Sequence, residues 1–161
     1  MTEPVPERPG FEHGYGISGA PPETSWSDAA ARLESARNYW VATTRPDGRP
    51  HTMPVWGLWL DDAVVFSTNP ASRKGRNIAA NPELVVHLES GDDAVILEGR
   101  TEVVTDEDLL RRFSDAYFEK YGWRVEAGPG FAIYALRPRI AFTWAEADFP
   151  ESATRWRFPH D

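Results

Sequence analysis

The chain has 161 residues, 41% apolar and 12% aromatic, which suits one domain with its own core. Its formal net charge of -8 argues against nucleic acid or an anionic membrane surface as the partner, and the absence of cysteine excludes disulfides and thiolate metal sites. His13, His51, His87 and His160 are scattered without ligand spacing, so no metal is expected. No apolar run approaches the roughly 18 residues of a membrane span and the N-terminus lacks a signal-peptide core, so a cytoplasmic protein is expected.

Residues 1–24 are rich in Pro and Gly and read as an extended arm, with Phe11 and Tyr15 hinting at a contact. Residues 25–147 read as the folded domain and 148–161 as a loop-like tail that ends Arg155-Trp156-Arg157-Phe158. Ser25 or Ser27 can cap a helix running to Arg37. Tyr39 to Thr44 reads as a strand, and Pro46-Asp47-Gly48 as the turn of a hairpin. The return strand is Arg49 to Leu60, apolar on both faces, which predicts burial on both sides, as in a barrel wall under a ligand. Pro54 cannot donate to a ladder, so pairing fails there on one side, by edge placement or by opening the backbone to a ligand.

Ala63 to Thr68 is the next strand, after the acidic turn Asp61-Asp62. Asn69-Pro70 breaks it, and a short helix restarts over about 72–80 with Ser72 as its cap. Arg73, Lys74 and Arg76 fill the first turns of that helix, where the macrodipole makes each cation cost roughly 0.3–1 kcal/mol. Gly75 inside it costs about another 1 kcal/mol relative to Ala. Cations, hydroxyls and free amides at a helix start suit an anion, most often a phosphate. The alternative is a solvated basic face. In a chain this acidic, the cluster is locally exceptional.

Asn81-Pro82 closes the helix, Leu84 to Leu88 is a strand, and Gly91-Asp92-Asp93 turns it into Ala94 to Val104, with Gly99 as a bulge. A helix follows, capped by Thr105, carrying the core stripe Leu109, Leu110, Phe113, Tyr117 and Tyr121, and ended by Gly122. Phe131 to Leu136 and Ile140 to Trp144 are the last strands, separated by Arg137-Pro138-Arg139. About six strands joined largely by hairpins predict a mainly β protein with flanking helices, built on a small closed antiparallel barrel.

The run Gly48 to Trp56, then Phe66-Ser67-Thr68-Asn69, Ser72-Arg73-Lys74-Gly75-Arg76-Asn77 and Asn81-Pro82, resembles the flavin-binding split-barrel superfamily of pyridoxamine 5′-phosphate oxidase over about residues 38–145. The resemblance implies a six-stranded antiparallel split β-barrel, a homodimer, and cofactors bound in the clefts at the subunit interface. Carried over by position, Met53, Pro54, Val55, Trp56, Gly57 and Leu58 would run along the isoalloxazine or deazaflavin ring. Ser67 and Thr68 would meet the ribityl–phosphate chain, and Ser72, Arg73 and Lys74 would hold phosphate. Members that oxidise pyridoxamine phosphate place basic residues at the position of Met53 and near Leu58. Both are apolar here, so that activity is not expected.

The Pro-Val-Trp run and the Arg-Asn-Ile-Ala-Ala-Asn-Pro segment look more like the actinobacterial branch that uses the deazaflavin F-420. The expected function is therefore that of an oxidoreductase passing a hydride between F-420, or FMN, and a small unsaturated or quinone-like substrate. Two alternatives share these residues: a carrier or sensor that binds the cofactor without turnover, and a structural barrel with a basic surface. Tyr39, His51 and His87 are acid–base candidates by residue type alone. Trp56, Trp59 and Trp144 could wall a substrate pocket or serve core or dimer packing.

Overall fold

The computed structural model describes residues 3–159, so His160 of the histidine set lies outside the described residues. β1 (Val5–Glu7) and a 3-10 turn at His13–Tyr15 precede α1 (Trp26–Ser35), which Ser25 caps by accepting the Ser27 amide. β2 (Tyr39–Thr44) and β3 (Pro50–Val55) form a hairpin in which Gly48 takes φ +84°. β4 (Gly57–Leu60) follows directly, and Asp61-Asp62, both at positive φ, turn the chain into β5 (Ala63–Thr68). After α2 (Arg73–Ala80) come β6 (Glu83–His87), β7 (Asp93–Val103), α3 (Glu107–Tyr121), β8 (Ala132–Ala145) and β9 (Thr154–Arg157).

All the strand pairs are antiparallel, and they close a ring. β2 pairs β6, β6 pairs β7, β7 pairs β8, β8 pairs β5 and β5 pairs β4. β3, continuous in sequence with β4, pairs back onto β2. The expected return strand Arg49–Leu60 is thus one run of sequence but two ladders, divided at Trp56 where the chain changes neighbours. The barrel of six expected strands is present. It is split at that point.

Two cores lie on the two sides of the wall. Tyr39, Val41, Trp59, Val64, Phe66, Val86, Leu97 and Leu136 belong to one, with α1 and Ile78 of α2. Leu58, Val65, Ile133 and Ala135 belong to the other, under the Leu109–Phe113–Tyr117 stripe of α3. β5 alternates between them, and the period-2 geometry of a strand explains why it is apolar throughout.

Several expectations are corrected. The strand 49–60 is buried on both faces only in β4; in β3, Met53 and Pro54 are exposed because β3 is a sheet edge. Edge placement accommodates Pro54, which stands opposite Trp40. The α3 cap is Asp106, not Thr105: its carboxylate accepts the Leu109 amide at 2.8 Å and also suits the helix dipole. Pro138 does not divide two strands. It stands opposite Gly99 where the β7–β8 register shifts, so the missing donor falls at a bulge inside one long strand. A Cβ on Gly99 would lie 2.1 Å from the Arg137 carbonyl oxygen, so only glycine fits this crossing.

The tail is no loop either. β9 pairs both β8 and β1, extending the sheet to nine strands. Trp156 is 2% exposed and donates its indole N–H to Thr143 Oγ1 at 2.9 Å. It joins Phe158 in an aromatic cluster around Trp26. Among the described residues no helix is long and apolar enough to cross a membrane.

Candidate cofactor site

The site begins where β5 ends. Ser67 and Thr68 are half-buried at its last positions, and the Ser67 hydroxyl is buried with no hydrogen-bond partner. The turn that follows is held from within: Asn69 Oδ1 accepts the Ala71 amide at 2.8 Å, and the Ser72 amide donates to the Asn69 carbonyl at 2.9 Å. Ser72 then caps α2, its Oγ accepting the Gly75 amide at 3.0 Å and lying 3.3 Å from Thr68 Oγ1. That cap consumes the third amide of the helix, leaving those of Arg73 and Lys74 without helical acceptors. The Arg76 guanidinium folds back onto the Ala71 carbonyl.

Gly75 is not a flaw in this helix. A Cβ there would lie 2.5 Å from the carbonyl oxygens of both Asn69 and Pro70, so glycine lets the helix start press onto the turn. Lys74 is half-buried, and burial pulls its pKa below the usual lysine range. Among the described residues neither Arg73 nor Lys74 has an ion-pair partner. Two glutamates that follow α2 in sequence have partners elsewhere. Glu83 meets Arg100 and Arg139, and Glu89 accepts from Asn38. A partly desolvated cation at a positive helix end, with no counter-charge, is arranged for an anion from outside the chain.

The edge strand supplies the adjoining surface. His51, Met53 and Val55 stand opposite Thr43, Val41 and Tyr39, so by register they share the core-facing side. That row is open, and Met53 is 50% exposed although Val41 beside it is buried. The row is joined to α2 by a short polar chain. Asn77, fully buried, donates through Nδ2 to Thr43 Oγ1 at 2.9 Å, and Thr43 Oγ1 lies 3.4 Å from His51 Nδ1. Arg73 and Lys74, four and three residues before Asn77, lie on the same helix face.

The split has its own fastening. Tyr121 Oη accepts the Gly57 amide at 3.1 Å and lies 2.8 Å from the carbonyl oxygens of both Gly57 and Arg37. Trp56 is 39% exposed and stacks on the Tyr121 ring at 4.7 Å, with the Arg37 guanidinium 5.3 Å from the indole centre. Gly57 and Leu58 are buried, Leu58 beneath α3, so neither presents a side chain to this open surface.

The structure therefore links Ser67, Thr68, Ser72, Arg73 and Lys74 into one corner, with Met53, Pro54, Val55 and Trp56 along the neighbouring edge. Residue patterning missed Asn77 and the Arg37–Tyr121 clamp. Asn77 carried a signal, a polar residue amid the apolar positions of a short helix, but its partner on β2 is remote in sequence. Of the acid–base candidates, Tyr39 is fully buried with its hydroxyl donated to the Leu33 carbonyl, and burial raises its pKa. His87 stacks on Trp40 with Nδ1 2.8 Å from the Leu88 carbonyl oxygen. Both are tied into structure. Among the described residues no acidic or histidine cluster could hold a metal.

Comparison with known proteins identifies the family. The pyridoxamine 5′-phosphate oxidase family matches residues 26–146, a span that contains the whole corner and the edge strand. The chain belongs to that family. Over 98 residues it is 39% identical to the pyridoxine/pyridoxamine 5′-phosphate oxidase of Cupriavidus necator, covering 58% of this chain and 44% of that protein. The chain thus spans less than half the length of that relative. In three dimensions it is similar to an F-420 reductase, 26% identical with a TM-score of 0.57, covering 74% of this chain and 97% of the other. It shares its fold with a pyridoxamine 5′-phosphate oxidase-related, FMN-binding protein of Nostoc punctiforme, 20% identical with a TM-score of 0.59, covering 83% and 89%. The mainly β architecture is the split barrel of this oxidase family.

The residues present fit a phosphate-bearing cofactor. The orphaned Ser67 hydroxyl, the Lys74 side chain without an ion-pair partner among the described residues, and the close turn that Gly75 permits each suit such a group.

Proposed function

We propose that this chain binds a flavin-type cofactor, F-420 ahead of FMN, and serves hydride transfer to or from a small unsaturated or quinone-like molecule. The observation that carries this reading is Lys74, partly desolvated at the start of α2 with no ion-pair partner among the described residues. The Lys74 and Arg73 side chains, their free amides and Ser72 hold the phosphate. The open edge at Met53, Pro54 and Val55 lies along the ring, with Trp56 as a wall, and Ser67 and Thr68 meet the chain between ring and phosphate. When bound, the ring supplies the hydride chemistry, while the protein orients it and excludes water. No side chain is assigned as a general acid or base.

Oxidation of pyridoxamine phosphate, the activity in the names of sequence relatives, is not part of this reading. Met53 is apolar and Leu58 is buried in the α3 core, so neither offers a charge to a substrate phosphate. The same apolar edge, and the likeness to an F-420 reductase, favour the deazaflavin. The cofactor lies at the interface of a homodimer, a reading supported by the exposed aromatics Trp56, Trp123 and Phe131.

Titration with F-420 and with FMN, followed by fluorescence and paired with a turnover assay, tests the proposal. Saturable binding with turnover supports it. Binding without turnover assigns the chain to the carrier or sensor class instead, and binding of neither cofactor overturns the reading.

A further inference from the structure

The phosphate corner has a neighbour that the phosphate itself does not use. The β2–β3 hairpin brings Arg45 and His51 to the flank of α2, and the geometry is fixed by hydrogen bonds. The Arg45 amide donates to the Arg49 carbonyl at 2.9 Å, closing the turn, and the Asn77–Thr43–His51 chain fastens the hairpin to the helix face that carries Arg73 and Lys74. Arg45 is partly buried, its Nε is buried with no hydrogen-bond partner, and among the described residues it forms no ion pair. A guanidinium is strongly driven to use its donors on an oxygen acceptor, so an orphaned one beside other cations is an unfinished anion contact.

We propose that Arg45 and His51 form an outer anion subsite beside the Ser72–Arg73–Lys74 corner, which takes a second negative charge carried by the same ligand. The ligand class is a phosphate ester whose arm bears a further phosphate or carboxylate. This inference rests on the phosphate reading of the corner and extends it.

The charges around His51 are accounted for element by element. β2 and its turn bring Arg45, Asp47 and Arg49, and α2 brings Arg73, Lys74 and the neutral Asn77. Asp47 is hydrogen-bonded to Arg49 at 2.8 Å and lies in the field of Arg45 and Arg73, so it compensates Arg49 first and the other two only in part. The His51 pKa is lowered by burial and then by Arg45, Lys74 and Arg73, so the imidazole is neutral at pH 7 while the subsite is empty. An anion there offsets the repulsion from these cations and favours the imidazolium. The Thr43 hydroxyl lies 3.3 Å from the His51 carbonyl oxygen and 3.4 Å from Nδ1. It can therefore donate to the carbonyl and accept from Nδ1–H, or donate to Nδ1, while still accepting from Asn77 Nδ2. His51 is thus held in place in either protonation state. Binding of a doubly anionic ligand takes up a proton at His51.

The test compares inorganic phosphate, pyrophosphate and phosphoglycolate by calorimetry near pH 6 and pH 8, in buffers of different ionisation enthalpy. The expected result is that pyrophosphate and phosphoglycolate bind roughly tenfold tighter than phosphate at the lower pH. Arg45→Gln and His51→Gln each remove most of that preference and weaken inorganic phosphate far less, while Arg45→Lys restores part of it. Proton uptake on pyrophosphate binding should be larger for the native chain than for His51→Gln, a difference that cancels the probe's own titration. Preference for phosphoglycolate alone or pyrophosphate alone would assign the second charge to a carboxylate or to a phosphate. Equal affinity for all three probes, or a preference untouched by both Gln variants, overturns the outer subsite. If Lys74→Ala weakens every probe while the Gln variants change nothing, the outer subsite fails and the phosphate corner stands. If no probe binds, both readings fail together.

Discussion

Tyr121 on α3 and Gly57 on β4 are joined through both backbone groups of the glycine: the phenol oxygen lies 3.1 Å from the Gly57 nitrogen and 2.8 Å from its carbonyl oxygen. One side chain thus serves, at the break between β3 and β4, the backbone groups that a neighbouring strand serves elsewhere. Tyr121→Phe should leave the buried Gly57 amide without its acceptor and destabilise the fold by about 1–3 kcal/mol. Urea melts measure this. Unchanged stability would mean that water accepts from the Gly57 amide equally well, since the Lys120 ammonium can only donate, to the Gly57 carbonyl.

Gly75 offers a prediction in which two rules disagree. Helix propensity alone says Gly75→Ala should stabilise by about 1 kcal/mol. The close approach of the Asn69 and Pro70 carbonyls says the reverse, because a methyl group would have to push the turn and helix start apart. Contact should win, with a loss of about 1–3 kcal/mol and weakened cofactor binding. A stabilised Gly75→Ala protein would show that the turn yields easily.

For Lys74→Ala, folding and binding should move in opposite directions. Removing a desolvated cation at a helix N-terminus should leave stability level or raise it by about 0.3–1 kcal/mol. Cofactor affinity should fall by roughly 1.5–3 kcal/mol, on the order of tenfold to a hundredfold in Kd. Melts and a fluorescence titration on the same variant decide, and unchanged affinity for both F-420 and FMN would sink the phosphate assignment.

Acid stability should depend on Arg112. It meets Asp61 at 3.1 Å and Asp108 at 2.8 Å, and these hydrogen bonds hold both carboxyls below their usual pKa. A carboxylate depressed in the folded state contributes stability above its ordinary pKa and loses it as pH falls through the folded value. The native chain should therefore exceed Arg112→Gln in stability at neutral pH, with the gap closing below about pH 4. A gap that does not change with pH would assign the effect to packing of the arginine stem.

In solution the protein should be a homodimer. Met53, Trp56, Phe118, Trp123 and Phe131 are all exposed on the single chain, and burying them against a second copy removes large apolar surfaces from water. Light scattering at micromolar concentration should give about twice the 18.1 kDa chain mass. A monomer would remove the shared-cleft site.

The sequence by itself determined the local elements and the chemical character of the corner. Turn and cap residues act over a few positions, so Ser72 at the start of α2, Gly48 in the hairpin, the Gly99 bulge and Gly122 at the end of α3 could be read directly. The wrong sign of charge in the first turn of α2 was equally local, and it pointed to an anion before any fold was known. What only the tertiary structure decided depended on long-range pairing. Whether 49–60 was one ladder or two followed from β5 and β2 taking different halves of it. The tail became a strand because β8 had an edge to offer and the Trp26 cluster had room for Trp156. Gly75, costly by helix propensity, proved necessary through the backbone packed against it. Arg45, too, came near His51, Arg73 and Lys74 only when the hairpin folded onto α2, because a cation's neighbours are settled by position in space and not by spacing along the chain.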